Sequence, residues 1–356
     1  MASKLLINAL TLCSALVMCG TVRADAQRSR ELSSGLQTDY QSVRTPRGYQ
    51  VQGVFTKPAN ANGSLPTLFF VGWLSCDSII YPEGKETDGF SKVVLRLIRQ
   101  SGFAAFRIDK PGVGESKGPP CETLDFLEEL DAYRAAFKHL LELPSVDSSR
   151  IVIVGLSNGG GIAPLIDNGT KAAGYVSMGG WGRTWMEHMI EHERERLTLS
   201  GKSPDEINRS MKLFPSFYQQ YLVEKQTPGA VIQHDPRLKA IWYDSPNGQY
   251  GRPASFYQQL QDLNLEKAWS EVRAPVLVVR GSFDWIMSQH DTDGIVNAVN
   301  RGFPRGATLL LRPGMDHFFV LHDSYAETMK DNSSRFDEAV VPQLIDWLDR
   351  FQQTHK

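Results

Sequence analysis

The sequence has 356 residues, of which 41% are hydrophobic and 22% are charged, as is usual for a globular protein with a full-sized core. Its formal net charge of -2 at neutral pH excludes a broad electrostatic attraction to nucleic acid or to an anionic membrane surface. The length fits either one large domain with an insertion or two domains.

The first 26 residues differ in kind from the rest of the chain. Lys4 precedes an apolar run from Leu5 to Val17, and Ala24-Asp25-Ala26 provides the small residues that a signal peptidase requires. Because the apolar run is shorter than the about 20 residues that a membrane-spanning helix needs, a cleaved export signal is favoured over a membrane anchor. We therefore expect residues 1–26 to be a signal peptide, and the mature protein to be secreted or periplasmic without stable membrane insertion.

After a polar segment at residues 27–45, which we expect to be a flexible leader, the chain alternates between strand and helix patterns. Strand candidates lie at residues 49–56, 67–72, 103–108, 151–155, 173–178, 275–280 and 307–311. Helical patterns lie at residues 90–100, 124–143, 158–167 and 336–351. Strands that alternate with helices predict an α/β fold, with a mostly parallel central sheet flanked by helices.

Residues 181–265 interrupt this alternation, because they are rich in charged and aromatic residues and contain no clear strand. We interpret them as a helical cap inserted into a core made of residues 46–180 and 266–352. In an α/β sheet the ligand crevice lies beyond the carboxyl ends of the strands, which is where this insertion leaves the sheet. The cap is therefore predicted to cover the site as a lid.

The segment IVIVGLSNGGGIAPLI, residues 151–166, passes from a buried-strand pattern to a helical pattern within a few residues. Gly155 and Gly159 bracket Ser157, and residues without a Cβ allow the strand and the helix to approach closely in a sharp turn. Such a turn exposes the serine hydroxyl and directs the N–H groups of the helix toward it, as a nucleophile requires. A glycine-rich turn without catalytic role is the alternative, so the interpretation depends on partners elsewhere in the chain.

Ser157 needs a general base, and the base needs a carboxylate that fixes its tautomer. Asp284 follows the strand candidate at residues 275–280, and His317 follows the one at residues 307–311. Each therefore stands just beyond the carboxyl end of a strand, as Ser157 does. The three residues are predicted to meet at the same edge of one sheet.

Several segments resemble the α/β-hydrolase superfamily, and within it the dienelactone-hydrolase-like and serine-aminopeptidase-like branches. The stretch DKPGVGES, residues 109–116, is similar to the family's loop after the fourth strand. Residues 281–284, GSFD, resemble its acid segment, and Asp316-His317 resembles its base segment. The resemblance covers about residues 45–180 and 266–352.

The resemblance implies specific roles for these residues. The family uses a nucleophile, an acid and a base in chain order, which implies Ser157, Asp284 and His317 as a catalytic triad. The backbone N–H of Asn158, directly after the nucleophile, is implied as one oxyanion donor. The family's third strand usually ends in His-Gly, whereas this chain continues from Gly72 into Trp73 and Leu74. We expect the N–H of Trp73 to be the second donor, with that of Leu74 as the alternative, since a backbone donor does not depend on the side chain.

Removal of residues 1–26 would leave two cysteines, Cys76 and Cys121. In an oxidising compartment an even pair favours a disulfide, and two free buried thiols are the alternative. In the family's usual strand order the third and fourth strands are neighbours, so the loops that carry the two cysteines would leave the sheet side by side. A disulfide would brace the loop after Gly72, and spacing alone leaves both possibilities open.

A second motif, His188-Met-Ile-Glu-His192, matches the H-x-x-E-H zinc pattern, in which Glu191 would act as the base. The next four residues, Glu193 to Arg196, are all charged, which is typical of a solvated helix. The spacing singles out no third ligand. We therefore expect no metal and no other cofactor.

These observations together predict an exported serine hydrolase that cleaves a carboxylic ester or a related acyl bond of a small molecule through an acyl-enzyme intermediate. An exopeptidase or amidase would use the same triad, and Glu187, Glu191 and Glu206 of the cap are then candidates for binding an α-amino group. A third possibility is a hydrolase fold that only binds a ligand.

Overall fold

The computed structural model describes residue 31 and residues 34–81, 84–330 and 335–354. The predicted export signal, residues 1–26, lies outside the described residues, as does the beginning of the predicted leader. Among the described helices, none has both the length and the apolar character that crossing a lipid bilayer requires.

The strands form one large sheet and one small hairpin. They are β1 (Leu36–Arg44), β2 (Gln50–Pro58), β3 (Leu65–Val71), β4 (Ala104–Ile108), β5 (Val146–Leu156), β6 (Gly174–Met178), β7 (Gly248–Gln249), β8 (Arg252–Pro253), β9 (Val276–Gly281) and β10 (Ala307–Arg312). The large sheet has the order β1-β2-β4-β3-β5-β6-β9-β10. β2 is antiparallel to both of its neighbours, and the pairs from β4 to β10 are all parallel. The predicted mostly parallel sheet is confirmed.

The first strand corrects one expectation, because residues 36–44 form β1 and are not part of a flexible leader at residues 27–45. β1 pairs with β2 in antiparallel register, from Leu36 opposite Pro58 to Arg44 opposite Gln50. It lies at the edge of the sheet, where most of its side chains remain partly or fully exposed. An edge strand of this kind lacks the continuous apolar run by which the inner strands are recognised.

Twelve helices in the described part of the chain surround this sheet. They are α1 (Gly89–Gln100), α2 (Phe126–Leu141), α3 (Asn158–Ile162), α4 (Pro164–Asp167), α5 (Trp185–Leu199), α6 (Pro204–Met211), α7 (Phe214–Tyr218), α8 (Pro228–His234), α9 (Ala254–Gln261), α10 (Leu265–Ser270), α11 (Gln289–Gly302) and α12 (Val340–Thr354). Helices lie on both faces of the sheet, which gives the three-layer arrangement expected of an α/β fold.

Alternation along the inner strands divides the core into two layers. On β5, Ile151 and Ile153 face the layer formed with α2 and α11, whereas Val152 and Val154 face the layer formed with α1 and α12. All four side chains are fully buried or nearly so. A strand covered on both faces must be apolar at every position, which explains the continuous run of β-branched residues before Ser157.

The chain between β6 and β9 contains α5 to α10 and the hairpin of β7 and β8. Its aromatic residues pack mainly on one another: the rings of Phe217 and Trp242 are 4.8 Å apart, and those of Trp185 and Tyr257 are 5.4 Å apart. We call this segment the cap. Its first helix and the β7–β8 hairpin contribute side chains to the site described next.

Candidate active site

Ser157 lies at a sharp turn between β5 and α3. Its backbone has a φ of 56° and a ψ of -121°, which L-residues rarely adopt, and its N–H donates to the carbonyl oxygen of Met178 on β6 (2.8 Å). A Cβ on Gly155 would lie 2.3 Å from the carbonyl oxygen of Gly159, and a Cβ on Gly159 would lie 2.2 Å from that of Val71. Only glycine fits at both positions, so the end of β3, the end of β5 and α3 pack closely around the serine.

His317 and Asp284 form a hydrogen-bonded series with Ser157. The Oγ of Ser157 lies 2.9 Å from Nε2 of His317, and Nδ1 of His317 lies 2.9 Å from Oδ2 of Asp284. Asp284 follows β9 and His317 follows β10, and because these strands are parallel neighbours, both loops leave the edge at which β5 ends. All three residues are buried, with exposed fractions of 7% or less. The structure thus brings together the three residues selected from the sequence.

Backbone groups hold the Asp284 carboxylate in place. Its Oδ1 accepts hydrogen bonds from the N–H groups of Ile286 (3.0 Å) and Met287 (2.8 Å), which leaves Oδ2 for His317. The Arg280 side chain donates to the carbonyl oxygen of Asp284 (3.2 Å) and so fixes the same turn. The carboxylate therefore has a defined orientation toward the imidazole.

The His317 loop is built around the preceding residue, Asp316. Oδ1 of Asp316 accepts hydrogen bonds from the N–H groups of Phe318 (2.8 Å) and Val320 (2.9 Å), and Oδ2 lies 2.9 Å from Nε2 of His322. Asp316 therefore acts as the anchor of the loop. The sequence shows an Asp beside the candidate base, but the pairing with His322 depends on how the loop closes and is not visible from spacing.

The surroundings of His317 raise its pKa. Burial favours the neutral imidazole and lowers the pKa, but the charge of Asp284, its hydrogen bond to the ring and the charge of Asp316 together outweigh burial. The net shift is upward from the ordinary value of 6.5. His317 is thus able to accept a proton from Ser157 and to hold it as an imidazolium stabilised by Asp284.

Backbone N–H groups beside Ser157 are available to a ligand. Those of Asn158, Trp73 and Leu74 have no hydrogen-bond partner among the described residues, and all three residues line a cavity together with Ser157. Asn158 is the first residue of α3, where an N–H has no partner within the helix. Such groups can stabilise a negatively charged oxygen that forms next to the serine.

The loop after β3 carries Trp73 and Leu74, and a disulfide fixes its far end. Cys76 and Cys121 are bonded, with their Cα atoms 5.8 Å apart, so the alternative of two free thiols does not apply. At the near end, the N–H of Gly72 donates to the hydroxyl of Tyr133 on α2 (3.0 Å). We call residues 72–77 the oxyanion loop, since it carries the expected second donor.

A cavity of about 380 Å³ lies between the sheet edge and the cap. Besides the residues named above, its walls are formed by Ser75, Phe90, Trp185, His188, His192, Arg196, Tyr243, Tyr250, Trp285, Ile286, Met287 and Phe318. Six of these twelve residues are Phe, Trp or Tyr and two more are histidines, and none of the described lining residues is an aspartate or a glutamate. The volume suits a small organic molecule.

The H-x-x-E-H motif contributes two histidines to the cavity wall but not its glutamate. Nδ1 of His188 lies 2.9 Å from Oδ2 of Asp291, and Nε2 of His192 lies 3.1 Å from the hydroxyl of Tyr250. Glu191 is not among the lining residues and pairs with Arg183. Within the described ranges, no three metal-binding side chains converge on one point.

The cap carboxylates considered for an α-amino group are not part of the cavity wall. Glu187 accepts a hydrogen bond from the N–H of Thr184 (3.0 Å) and caps α5, and Glu206 accepts one from the N–H of Ser203 (2.9 Å) and caps α6. Like Glu191, neither is among the residues that line the cavity. Their positions match the role of helix caps.

Comparison with known families identifies the class of the protein. Residues 84–323, more than half of the chain, match the family described as serine aminopeptidase, S33. The chain therefore belongs to this family of α/β hydrolases, as the resemblance of its motifs predicts. Among curated proteins, 58 residues are 43% identical to a polyketide transferase of Penicillium crustosum, a match that covers 16% of this chain and 19% of that protein. The chain thus matches about a fifth of that relative's length.

Solved structures with the same architecture include esterases. An esterase of Pyrococcus furiosus superposes with a TM-score of 0.54 at 11% identity, covering 91% of this chain and 97% of that one. Est1E of Butyrivibrio proteoclasticus, solved with ferulic acid bound, superposes with a TM-score of 0.54 at 16% identity, covering 88% of this chain and 98% of that one. At these identities the similarity establishes the α/β-hydrolase fold and nothing finer.

We predict that Asp284→Asn lowers the pKa of His317, because burial then acts without the carboxylate that outweighs it. The titration can be followed by NMR of the labelled imidazole in both proteins. The control Asp39→Asn, the same change at an exposed residue, should leave the pKa of His317 as it is in the wild type. An unchanged or higher pKa of His317 in the variant would show that Asp284 does not set its protonation.

Proposed function

We propose that this protein is a serine hydrolase that cleaves a carboxylic ester or a related acyl bond, with Ser157, His317 and Asp284 as its catalytic triad. The observation that carries the proposal is the series of two hydrogen bonds of 2.9 Å each from Ser157 through His317 to Asp284. The series ends at the wall of a cavity of small-molecule size. Both bonds lie within the distance range at which a base can activate a nucleophile.

In the first half of the reaction, Ser157 becomes acylated. Its Oγ forms a bond to the carbonyl carbon, the π electron pair of the carbonyl moves to its oxygen, and the Oγ proton passes to Nε2 of His317. When the oxygen's electron pair returns, the bond to the leaving group breaks, and the leaving group takes the proton from His317. Asp284 stabilises the imidazolium that exists between the two proton transfers.

In the second half, water releases the acyl group. A water molecule gives a proton to Nε2 of His317 as its oxygen bonds to the acyl carbon, and the collapse of the second tetrahedral species returns the proton to Oγ of Ser157. The N–H groups of Asn158 and Trp73, with Leu74 as the alternative to Trp73, bind the oxyanion in both halves. Loss of one such donor typically lowers the rate by about 100- to 1000-fold.

The composition of the cavity wall supports an ester over a peptide with a free amino terminus. An exopeptidase of this type needs a carboxylate for the α-amino group, and no described lining residue supplies one. Arg196, a charged side chain of the wall, forms an ion pair with Glu193 (2.7 Å). Glu193 is buried and does not line the cavity. Burial lowers the pKa of His192 to about 3, so this histidine is neutral near pH 7. A cavity wall that is rich in aromatic rings and has no carboxylate among its described residues favours an acyl group without a cationic substituent.

We further propose that the protein is exported and acts in the periplasm or outside the cell. The pattern of residues 1–26 supports export. The disulfide between Cys76 and Cys121 fits the same proposal, since structural disulfides persist mainly in oxidising compartments.

The proposal predicts that a fluorophosphonate forms one covalent adduct with the purified protein, on Ser157, because the probe reacts with a serine only when a base activates it. Intact mass and a peptide map locate the adduct. Ser157→Ala should abolish labelling, and the control Ser64→Ala, at an exposed serine, should retain it. A folded wild-type protein without an adduct would exclude the activated nucleophile and favour the interpretation as a ligand-binding protein.

A matched pair of substrates separates the ester hydrolase from the exopeptidase. We predict that methyl 3-phenylpropanoate is hydrolysed with a kcat/KM about 10-fold or more above that of phenylalanine methyl ester, which differs only by its α-ammonium group. The reason is that an ammonium group enters this cavity without a carboxylate partner. Steady-state kinetics at a pH at which the amine is protonated measure the ratio.

A preference for the amino ester, together with cleavage of phenylalanine amide, would contradict the ester assignment. The variants Glu187→Gln, Glu191→Gln and Glu206→Gln would then show whether one of these carboxylates binds the amine. The ester hydrolase predicts that none of the three changes the substrate ratio.

A further inference from the structure

A buried lysine lies behind the oxyanion loop. Lys110 follows β4, and its side chain is only 4% exposed. Its Nζ donates hydrogen bonds to three consecutive backbone carbonyl oxygens, those of Trp73, Leu74 (3.3 Å) and Ser75 (2.9 Å). An ammonium group suits three successive carbonyl oxygens because it has three hydrogen-bond donors at one nitrogen and no acceptor.

These contacts fix the direction of the backbone N–H groups in the loop. In a planar trans peptide unit the carbonyl and the N–H point in opposite directions. The carbonyl of Trp73 points to Lys110, so the N–H of Leu74 points away from it. The bound carbonyls of the next two residues direct the N–H groups of Ser75 and Cys76 in the same way. The lysine therefore holds the oxyanion loop in one orientation from its back, on the side opposite to these N–H groups.

The lysine is itself held by a chain of charged groups that reaches the cap. Oε1 of Glu129, on α2, lies 3.2 Å from Nζ of Lys110, and the other oxygen of this carboxylate pairs with Arg252 of the β7–β8 hairpin. Arg252 also contacts the carbonyl oxygen of Cys121 (2.8 Å) and the sulfur atoms of Cys121 (2.7 Å) and Cys76 (3.0 Å). The charged series thus holds the middle of the oxyanion loop, and the disulfide holds its far end.

Stability alone does not account for this arrangement. Two cations and one carboxylate are nearly fully buried together, and burying charge is costly even when the charges are paired. Well-packed apolar side chains at such positions are often at least as stable. A role in orienting the loop accounts for the presence of charged groups at these buried positions.

We propose that Lys110 is a positioning residue for the oxyanion hole and acts through the carbonyl groups of residues 73–75. The inference rests on the proposed function, since it concerns the loop that binds the oxyanion. Lys110 does not touch the substrate. It sets the direction of the N–H of Leu74, the alternative donor, and holds in place the loop that carries the N–H of Trp73. An oxyanion donor stabilises the transition state more than the bound ester.

Titration of the lysine provides an independent readout. Burial, helped by the charge of Arg252, lowers the pKa of Lys110 to about 8, although the charges of Glu129 and Asp77 act in the opposite direction. As the pH rises through about 8, the ammonium group becomes an amine with two N–H donors. It then no longer supplies a hydrogen bond to each carbonyl, and kcat should fall over this range.

The test uses the mature protein with Lys110→Met, and Lys117→Met as the control, because Lys117 lies on the same segment with an exposed side chain. For methyl 3-phenylpropanoate, Lys110→Met should lower kcat by about 10- to 100-fold and change KM by less than about 3-fold. The effect on kcat is smaller than the loss of an oxyanion donor, because the donor is misoriented and not removed. The inhibition constant of a trifluoromethyl ketone, which forms an oxyanion on Ser157, should rise by a similar factor. The control should match the wild type.

Lys110→Arg keeps a permanent charge, so its kcat should exceed that of Lys110→Met and should not fall near pH 8. Thermal unfolding and the mass of the unreduced protein establish that each variant is folded with its disulfide intact. If Lys110→Met does not fold, the pH profiles of the wild type and Lys110→Arg decide the matter.

Two results would overturn the inference. One is a folded Lys110→Met protein that retains the wild-type kcat and inhibition constant. The other is a fall in kcat near pH 8 that persists in Lys110→Arg. Either result, in a preparation whose wild type hydrolyses the ester and is labelled at Ser157, contradicts the role of Lys110 alone. A wild type that is not labelled contradicts the proposed function itself.

Discussion

The arrangement of the whole site depends on the close packing of the turn at Ser157. The serine has a positive φ. A Cβ on Gly155 would collide with the backbone of Gly159, and a Cβ on Gly159 would collide with the end of β3. This packing places the hydroxyl group of Ser157, the first N–H group of α3 and the loop after β3 next to one another. Each other part of the site is placed relative to that turn, so a larger residue at Gly155 or Gly159 would separate the nucleophile from the groups that serve it.

The order of the strands explains why distant parts of the sequence meet there. β3 lies beside β5, so the oxyanion loop leaves the sheet next to Ser157, and β9 and β10 follow β6 on the other side. The acid and base loops therefore arrive from one side and the oxyanion loop from the other. The cap closes the cavity above, and its β7–β8 hairpin reaches back through Arg252 to the disulfide and to Glu129. The cap and the oxyanion loop are thus joined by charge as well as by packing.

Local patterns were sufficient to predict much of this. The alternating strands and helices, the glycines around Ser157 and the positions of Asp284 and His317 after strands all depend on residues close together in the chain. β1 gives no clear signal in the sequence, because an edge strand carries few buried apolar residues. The Lys110 contacts and the pairing of Asp316 with His322 give no signal either, since they arise from the folded arrangement of loops and leave no periodic pattern. The sequence does not decide between a disulfide and two free thiols, because spacing does not determine the distance between Cα atoms.

A crystal structure of the protein phosphonylated on Ser157 tests the proposed triad and oxyanion hole most directly, because the adduct imitates the tetrahedral intermediate. We expect one phosphonyl oxygen to lie about 2.7 to 3.1 Å from the backbone nitrogen of Asn158 and from that of Trp73 or Leu74, with His317 still bonded to Asp284. An adduct whose oxygen atoms face solvent, with neither side of the proposed oxyanion hole in contact, would contradict the proposed catalytic roles.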